Sequence, residues 1–396
     1  MAGPHKPILF TAYEPSGDAL AAAVIERLRA LEPDRPIVAM GGPKMQQAGA
    51  TLLEHTTQKA VMLTDALGEF REHRRRTAVL RKWMTQNQPA LVVPTDSPAA
   101  NWATCAMTRK LHPHVRIVHL AGPQLWAWAP WRIRKMRRLS DGVLCLLPFE
   151  PDWFSKRGVP GQFVGHPIFD RLIDTPPSPL NWTPDLPDAL PNGFKLAVLP
   201  GSRSKEIARN LPDMLAAVAS LNAESPRVQP LIALHDPSIE PLARQHATDT
   251  PAGEGVATPI VVGRTPEVLA WADAVLTVSG TATLQVAAQR KPMLITYRVS
   301  RWQWQLVGRW IVKTRTFTLP NLIGQHLGLG HRVCPELVPH FGGHRPIADE
   351  LRKLIDDPQA RSNQAAAFDA IGHAYADVRF AETAAAALHH ALHAPR

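Results

Sequence analysis

Two short loops in the second half of the chain have the residue types of a phosphate-binding site. The apolar run 196–199 is followed by Pro-Gly-Ser-Arg at 200–203, and the apolar run 274–278 by Ser-Gly-Thr-Ala-Thr at 279–283. Each pattern predicts a buried parallel strand, a tight turn of small residues and the start of a helix. Backbone N–H groups at such a helix start, with the helix dipole behind them, suit a phosphate or diphosphate. Arg203 adds donors that match phosphate oxygens.

The two loops together predict a nucleotide diphosphate at the carboxyl ends of a parallel sheet. The alternative is that glycine and serine only form turns after the strands, because short glycine motifs also occur by chance. The residues predicted to contact the nucleotide are Pro200, Gly201, Ser202, Arg203, Glu206, Ser279, Gly280, Thr281, Ala282 and Thr283.

Strands alternate with helices in both halves of the chain, and this alternation predicts βαβ units and parallel doubly wound sheets. Six prolines fall between residues 174 and 192, a composition that cannot continue a helix or a central strand. We therefore predict an N-terminal Rossmann-like domain over 1–173, a linker over 174–194 and a C-terminal Rossmann-like domain over 195–347, with a cleft between the two domains. Helices over 348–396 are expected to pack back on the N-terminal domain.

Composition restricts the class of protein. The 396 residues are 45% hydrophobic and 20% charged, which is typical of a globular protein. A net charge of +10 favours an anionic partner, such as nucleic acid, an anionic membrane or a phosphorylated substrate. The three isolated cysteines fit a reducing cytosol, and no cysteine pair has metal-ligand spacing. The histidines, many of them near the carboxyl end, form no convincing metal-ligand group in the sequence, so we expect no metal. No signal peptide and no spanning segment is recognisable, which predicts a soluble or peripheral protein.

Motifs spread over nearly the whole chain resemble those of the lipid-A-disaccharide synthase family. Members of this family are glycosyltransferases of the GT-B type. The matching segments are Glu-Pro-Ser-Gly-Asp at 14–18, Gly-Gly-Pro-Lys-Met at 41–45, Pro-Gln-Leu-Trp-Ala-Trp at 123–128, Leu-Pro-Phe-Glu at 147–150, Phe-Val-Gly-His-Pro at 163–167, the two loops above, Val-Lys-Thr at 312–314 and Leu-Pro-Asn-Leu at 319–322.

The resemblance implies a reaction, substrates and a location. The enzyme would transfer 2,3-diacylglucosamine from UDP to the 6-hydroxyl of 2,3-diacylglucosamine 1-phosphate, with inversion and without metal or other cofactor. It would work in the cytoplasm, peripherally on the inner face of the cytoplasmic membrane.

An inverting transfer needs a base for the acceptor hydroxyl and electrostatic support for the departing diphosphate. Asp96 follows an apolar strand and matches the family's catalytic aspartate, although Asp-Ser-Pro can also be a simple turn. Glu14 and Asp18 are the other catalytic candidates, and Asp18 or Ser16 could instead cap a helix. The remaining predicted substrate-binding residues are Ser16, Gly17, Asn101, Gln285, Lys313 and Asn321. Lys313 could equally be a surface lysine.

The chain departs from the family pattern around these candidates. Tyr13 and Pro15 replace a glycine and an alanine, Ala99 and Ala100 replace an aspartate and a phenylalanine, and Gln285 stands where an acidic residue would accept ribose hydroxyls. A divergent GT-B paralogue acting on another lipid-linked or UDP-GlcNAc-type substrate, or a non-catalytic acyl-glycan binder, therefore stays open. An epimerase of the same fold and a peptidoglycan transferase fit the Trp-Ala-Trp and Leu-Pro-Phe-Glu motifs less well.

Tryptophans alternate with basic residues at 126–138 and 298–313. This mixture favours an anionic membrane surface, although packing in the core is the alternative use of the tryptophans. No motif supports nucleic-acid binding. The sequence does not decide between a monomer and a homodimer.

Overall fold

The computed structural model describes residues 5–57, 66–96, 98–127, 129–178, 180, 193–224, 227–252, 258–305 and 316–395. The chain divides into two compact units. The first unit comprises residues 1–167 and 378–396, and the second unit comprises residues 168–377.

The first unit is built on a seven-stranded parallel sheet in the order β3-β2-β1-β4-β5-β6-β7. Its strands are β1 (Ile8–Thr11), β2 (Ile37–Gly41), β3 (Thr51–His55), β4 (Leu91–Pro94), β5 (Arg116–Leu120), β6 (Gly142–Cys145) and β7 (Gly161–Phe163). Its helices up to the last strand are α1 (Pro15–Leu31), α2 (Pro43–Gln47), α3 (Ala66–Gln86), α4 (Pro98–Leu111), α5 (Ile133–Leu139) and α6 (Glu150–Ser155), with a 3₁₀ turn at Pro130–Arg132.

The second unit is built on a six-stranded parallel sheet in the order β10-β9-β8-β11-β12-β13. Its strands are β8 (Phe194–Leu199), β9 (Val228–Leu234), β10 (Ile260–Val262), β11 (Ala274–Val278), β12 (Met293–Arg298) and β13 (Glu336–His340). Its helices are α7 (Pro167–Asp174), α8 (Ser204–Glu224), α9 (Glu240–Asp249), α10 (Thr265–Trp271), α11 (Ala282–Ala288), α12 (Arg301–Gln303), α13 (Leu319–His326), α14 (Arg345–Asp356) and α15 (Pro358–His373), with a 3₁₀ turn at Pro237–Ile239.

The central strands are apolar runs because helices cover both faces of each sheet. Every residue of β1, β4 and β11 is buried. Two doubly wound parallel sheets are therefore present, as the strand–helix alternation predicted.

The helices after residue 344 divide between the two units, in contrast to our expectation that they would all return to the first. Ile347, Leu351 and Leu354 of α14 belong to the core of the second unit, and Gln364 of α15 accepts a hydrogen bond from the Met293 backbone at 3.0 Å. Of the described helices after residue 344, the last one, α16 (Phe380–His393), packs against α1 of the first unit. The reason is the distribution of apolar side chains, because α14 presents its apolar stripe to α8 and to the strands of the second sheet.

Strand order brings two pairs of loops together. In the first sheet β1 pairs with β2 on one side and β4 on the other, and Thr11 lies beside Pro94. In the second sheet β8 lies between β9 and β11, and Leu199 lies beside Thr277. Each position is a switch point, where the chain leaves neighbouring strands in opposite directions and an α/β sheet typically binds its ligand.

Candidate active site

The loops after β1 and β4 meet at the switch point of the first sheet. The Ser16 hydroxyl, in the first turn of α1, donates a 2.9 Å hydrogen bond to Asp96 Oδ2. Asp96 is half-buried and has a φ of 48°, a left-handed conformation that non-glycine residues adopt rarely. A Cβ on Gly17 would lie 3.4 Å from the Asp96 Cβ and 3.2 Å from the Ala12 Cβ, so glycine permits this close approach. The structure thus brings together three of the predicted residues.

Asn101 lies beneath Asp96 and is fully buried. Its Nδ2 donates to the carbonyl oxygens of Thr95 and Asp96 at 3.1 and 2.7 Å, and its Oδ1 accepts from the Thr11 hydroxyl at 2.6 Å. These bonds hold the backbone of the Asp96 loop. We predicted contact between Asn101 and substrate, but the structure makes it a positioning residue, because its amide is occupied by the protein itself. Sequence reasoning missed Thr11, whose signal was only a hydroxyl at the end of a buried strand.

Asp18 is not available as a catalytic base. Its carboxylate is 2% exposed and accepts hydrogen bonds from the backbone N–H groups of Gly42, Lys44 and Met45 at 2.9–3.1 Å. It therefore holds the start of α2, where a carboxylate also meets the positive end of the helix dipole. A Cβ on Gly42 would lie 2.5 Å from Asp18 Oδ2, so this contact explains why the two motifs contain aspartate and glycine.

Glu14 lies two positions before Ser16, at the start of α1. It is exposed, occupies the N-cap position of α1 and forms no side-chain cap hydrogen bond. Its carboxylate is in the right loop for contact with a hydroxyl group of a substrate, and Asp96 is the better held of the two acids.

The loop after β8 is organised by Glu206. Ser202 N–H donates to Glu206 Oε2 at 3.0 Å, and Arg203 Nη1 lies 3.2 Å from Glu206 Oε1. Gly201 has a φ of +124°, and a Cβ there would lie 2.6 Å from the Glu206 Cβ. The Arg203 side chain remains 69% exposed, so Glu206 fixes the loop while the guanidinium reaches solvent.

The loop after β11 lies beside it, next to the start of α11. Ser279 is half-buried, whereas Gly280 and Thr281 are exposed, and a Cβ on Gly280 would meet no atom within 4 Å. The Thr283 hydroxyl donates to the Gly280 carbonyl at 2.7 Å, which tightens the turn. The predicted residues Ala282 and Gln285 are half-buried in the following helix. The backbone of Gly280 and Thr281 is therefore exposed just before α11, as an anion-binding turn requires.

Tyr297, at the end of β12, was missed by sequence reasoning. Burial and the charge of Glu206 raise the pKa of its phenol, while Arg209 and Arg203 act in the opposite direction. The phenol therefore lies within electrostatic range of the loop after β8. Its signal in the sequence was weak, because a tyrosine in an apolar strand is ordinarily a core residue.

Asn321 is a further predicted residue that the structure places in the protein interior. Asn321 is fully buried, accepts from the Val333 and Cys334 N–H groups at 2.8 and 3.0 Å, and donates to the Cys334 carbonyl and the Glu336 carboxylate. It ties α13 to β13, so the prediction that it binds substrate is replaced by a structural role. Lys313 lies outside the described residues, as does Trp128 of the Trp-Ala-Trp motif.

The Pro-Gln-Leu-Trp and Leu-Pro-Phe-Glu motifs contact each other. Trp126 Nε1 donates to Glu150 Oε1 at 2.9 Å, and the Trp126 and Phe149 rings meet edge to face with centroids 5.0 Å apart. The Leu147 N–H donates to Glu150 Oε2 at 3.1 Å. Burial raises the pKa of Glu150 to about 7, although these hydrogen bonds oppose the shift. The motif residues therefore stabilise one another across the turn.

Among the described residues, no helix is both long enough and apolar enough to cross a bilayer.

Comparison with solved structures confirms the fold. The S. aureus MnaA–UDP co-structure superposes with a TM-score of 0.63 at 14% identity, covering 98% of this chain and 97% of that one. Anabaena HepE in complex with UDP and glucose gives a TM-score of 0.54 at 13% identity, covering 97% and 99%. Both likenesses show the shared two-sheet architecture, and the predicted GT-B class is correct.

Comparison at the sequence level is more specific. The family model described as lipid-A-disaccharide synthetase matches residues 8–389. The lipid-A-disaccharide synthase of Myxococcus xanthus is 34% identical over 357 residues, which cover 88% of this chain and 87% of that protein. The matched region contains both switch-point sites and the paired motifs. The chain therefore belongs to the lipid-A-disaccharide synthase family of glycosyltransferases.

Proposed function

We propose that this chain transfers 2,3-diacylglucosamine from UDP to the 6-hydroxyl of 2,3-diacylglucosamine 1-phosphate, with inversion at the anomeric carbon and release of UDP. One observation supports this proposal most: residues of the types needed for proton abstraction and for diphosphate binding lie at the switch points of the two sheets. Family membership supplies the substrate class.

Asp96 would be the base of the reaction. It accepts the proton of the acceptor 6-hydroxyl while the hydroxyl oxygen attacks the anomeric carbon and the bond to the UDP oxygen breaks. The Ser16 hydroxyl donates to Asp96 Oδ2 and so orients the carboxylate, while Asn101 holds the Asp96 backbone carbonyl from below. Such fixed orientation is what general-base catalysis requires, and its contribution is typically about 10²- to 10⁴-fold.

The loops after β8 and β11 would hold the donor diphosphate. Arg203 is largely exposed and its pairing with Glu206 uses one guanidinium nitrogen, Nη1, at 3.2 Å. Its further donors can take phosphate oxygens, with backbone N–H groups of residues 279–281 as additional donors. These groups meet the charge that develops on departing UDP, which is the usual electrostatic contribution to such a transfer. Gln285 would accept one hydrogen bond from a ribose hydroxyl without the charge of a carboxylate.

The test is UDP release from UDP-2,3-diacylglucosamine, measured with and without 2,3-diacylglucosamine 1-phosphate. We expect acceptor-dependent release by the wild type, a fall of at least 100-fold in Asp96→Asn, and a smaller fall in Ser16→Ala. Asp34→Asn is the matched control, because Asp34 is an exposed aspartate of the same unit, outside the site.

Two results would contradict the proposal. Acceptor-dependent release that survives Asp96→Asn would keep the reaction and exclude Asp96 as its base. Folded wild type that binds UDP and releases none with this acceptor would favour the paralogue with another acceptor, or the non-catalytic binder.

We also propose peripheral attachment to an anionic membrane. Trp131 is 57% exposed beside the exposed basic residues Arg134, Lys135 and Arg138 of the first unit, and Trp302 is 62% exposed beside Arg301 in the second. Indole rings favour the headgroup level, and each basic residue adds about 1 kcal/mol on an anionic leaflet. Sedimentation with vesicles should show binding to anionic but not to zwitterionic lipid, and Trp131→Ala should weaken it. Equal binding to both vesicle types would refute the electrostatic part of this proposal.

A further inference from the structure

Three potential metal ligands lie together in the first unit, away from the switch-point loops. Glu32 follows the last residue of α1, and His389 and His393 lie one turn apart near the end of α16. His389 Nδ1 is 2.9 Å from Glu32 Oε1, and His393 Nε2 is in hydrogen-bond contact with the same oxygen. All three ligand atoms lie within 4.8 Å of one another. The sequence did not indicate this group, because 357 positions separate Glu32 from His389.

The donor set is one that zinc prefers. Zinc binds imidazole nitrogen and carboxylate oxygen at about 2.0–2.2 Å, so two ligands of a tetrahedral zinc ion lie roughly 3.4 Å apart. The observed 2.9 Å between Nδ1 and Oε1 needs only a small separation of the side chains to reach that value. Histidines four positions apart on a helix face the same side, as in known zinc-binding helices.

His389 Nδ1 gives a second, independent indication. This nitrogen is buried and forms no hydrogen bond in the structure, although the Glu32 carboxylate is close to it. A buried imidazole nitrogen ordinarily has a hydrogen-bond partner. An ion bound between this nitrogen and Glu32 Oε1 would give the nitrogen a ligand bond in place of a hydrogen bond.

The ligands are held by packing that does not depend on a metal. Leu28 of α1 and Leu388 of α16 belong to the same buried core cluster. Arg116 donates to the Ala391 and Ala394 carbonyls at 2.5 and 2.9 Å, which fixes the end of α16. Arg35 donates to Glu32 Oε2 at 2.8 Å and leaves Oε1 on the side of the histidines. The Arg35 charge opposes a cation, but the orientation of the carboxylate is set before binding.

We propose that Glu32, His389 and His393 bind one zinc ion, with water completing the coordination, and that this ion fastens the last helix of the chain to the end of the first. The site is independent of the transferase reaction, since none of its residues belongs to the switch-point loops.

The test is calorimetric titration of metal-free protein with ZnCl₂, together with visible absorption after addition of CoCl₂. We expect one zinc equivalent per chain that is lost, or weakened at least 10-fold, in His389→Ala and in His393→Ala. The Co²⁺ complex should show the intense absorption of a low-coordinate site. His390→Ala is the matched control, because His390 is an exposed histidine of the same helix, and it should bind zinc like the wild type.

Stability provides a second measurement. Zinc should raise the unfolding temperature of wild type and His390→Ala, because a ligand that binds only the folded state stabilises it, and should not raise that of Glu32→Gln. Equal zinc affinity in His389→Ala, His393→Ala and His390→Ala would overturn the proposal. So would absence of the Co²⁺ absorption in folded wild type, or an equal response to MgCl₂.

Discussion

Glu150→Gln should change how the stability of this protein depends on pH. The Glu150 carboxyl is 4% exposed, and its two oxygens accept hydrogen bonds from Trp126 and from the Leu147 backbone. Burial raises its pKa from 4.5 to about 7. Glutamine has nearly the same shape and keeps an oxygen for the Trp126 indole, but it cannot ionise.

The direction and the size of the pH effect follow from the linkage between proton binding and folding. A raised carboxyl pKa means that the folded state holds the proton more tightly than the unfolded state. Between pH 4.5 and about 7 the unfolded chain therefore loses this proton first, and the free energy of unfolding falls by about 1.4 kcal/mol per pH unit. The penalty is absent below pH 4.5, grows through this window and is complete above pH 7, where it amounts to about 3 kcal/mol.

Urea unfolding at pH 5, 6, 7 and 8, followed by tryptophan fluorescence, would measure this pH-dependent change in the free energy of unfolding. The unfolding free energy of Glu150→Gln relative to wild type should rise by about 2–3 kcal/mol between pH 5 and pH 7 and then level off. Glu26→Gln removes an exposed carboxyl on α1 and is the control against which the Glu150→Gln profile is compared. A Glu150→Gln difference that is flat over this range, or that falls with pH, would refute the reasoning.

Three other substitutions separate the roles assigned above. Arg203→Ala should raise the KM for the UDP-linked donor about 10-fold, measured by steady-state kinetics. Because the Arg203 side chain is 69% exposed, the free energy of unfolding should change by less than about 0.5 kcal/mol, measured by urea unfolding. Asn321→Ala should cost about 3 kcal/mol of stability, because it leaves buried partners of α13 and β13 unpaired, and calorimetric UDP affinity of the folded protein should not change. Leu388→Ala should cost about 3 kcal/mol, because the side chain is fully buried between α16 and the sheet, and urea unfolding checks it.

The fold and the switch-point loops could be predicted from the sequence because their signals are local. A buried parallel strand is a short apolar run, and β4 and β11 appear in the sequence as such runs followed by polar turns. Parallel sheets bring the carboxyl ends of neighbouring strands to one edge, so the pairing of Ser16 with Asp96 follows from strand order once the sheet is known.

Local sequence signals do not distinguish a candidate catalytic carboxylate from a structural one. Asp18 and Asp96 both come after buried strands, β1 and β4. One carboxylate accepts hydrogen bonds from three backbone N–H groups, whereas the other accepts one from the Ser16 hydroxyl. The difference depends on which loop lies opposite, 24 positions away for Gly42 and 80 positions away for Ser16. The same reasoning applies to Asn101 and Asn321, whose amides bond backbone groups and the side chains of Thr11 and Glu336 that no local pattern reveals.

Several of the family motifs thus form pairs that hold loops, and catalysis depends on a smaller set. Asp18 joins the first motif to Gly42 of the second, and Trp126 joins the third to Glu150 of the fourth. This chain keeps both pairs. Apart from Gln285 in α11, its departures lie in the two segments next to Ser16 and Asp96. Pro15 occupies the first turn of α1, a position that proline fits, and the Tyr13 hydroxyl lies 3.4 Å from the Thr104 hydroxyl of α4. Because the scaffold pairs and Asp96, our proposed base, are retained, we expect the changes around Asp96 to alter the surroundings of the acceptor. Acceptor selectivity is therefore the property in which we expect this chain to differ from its relatives.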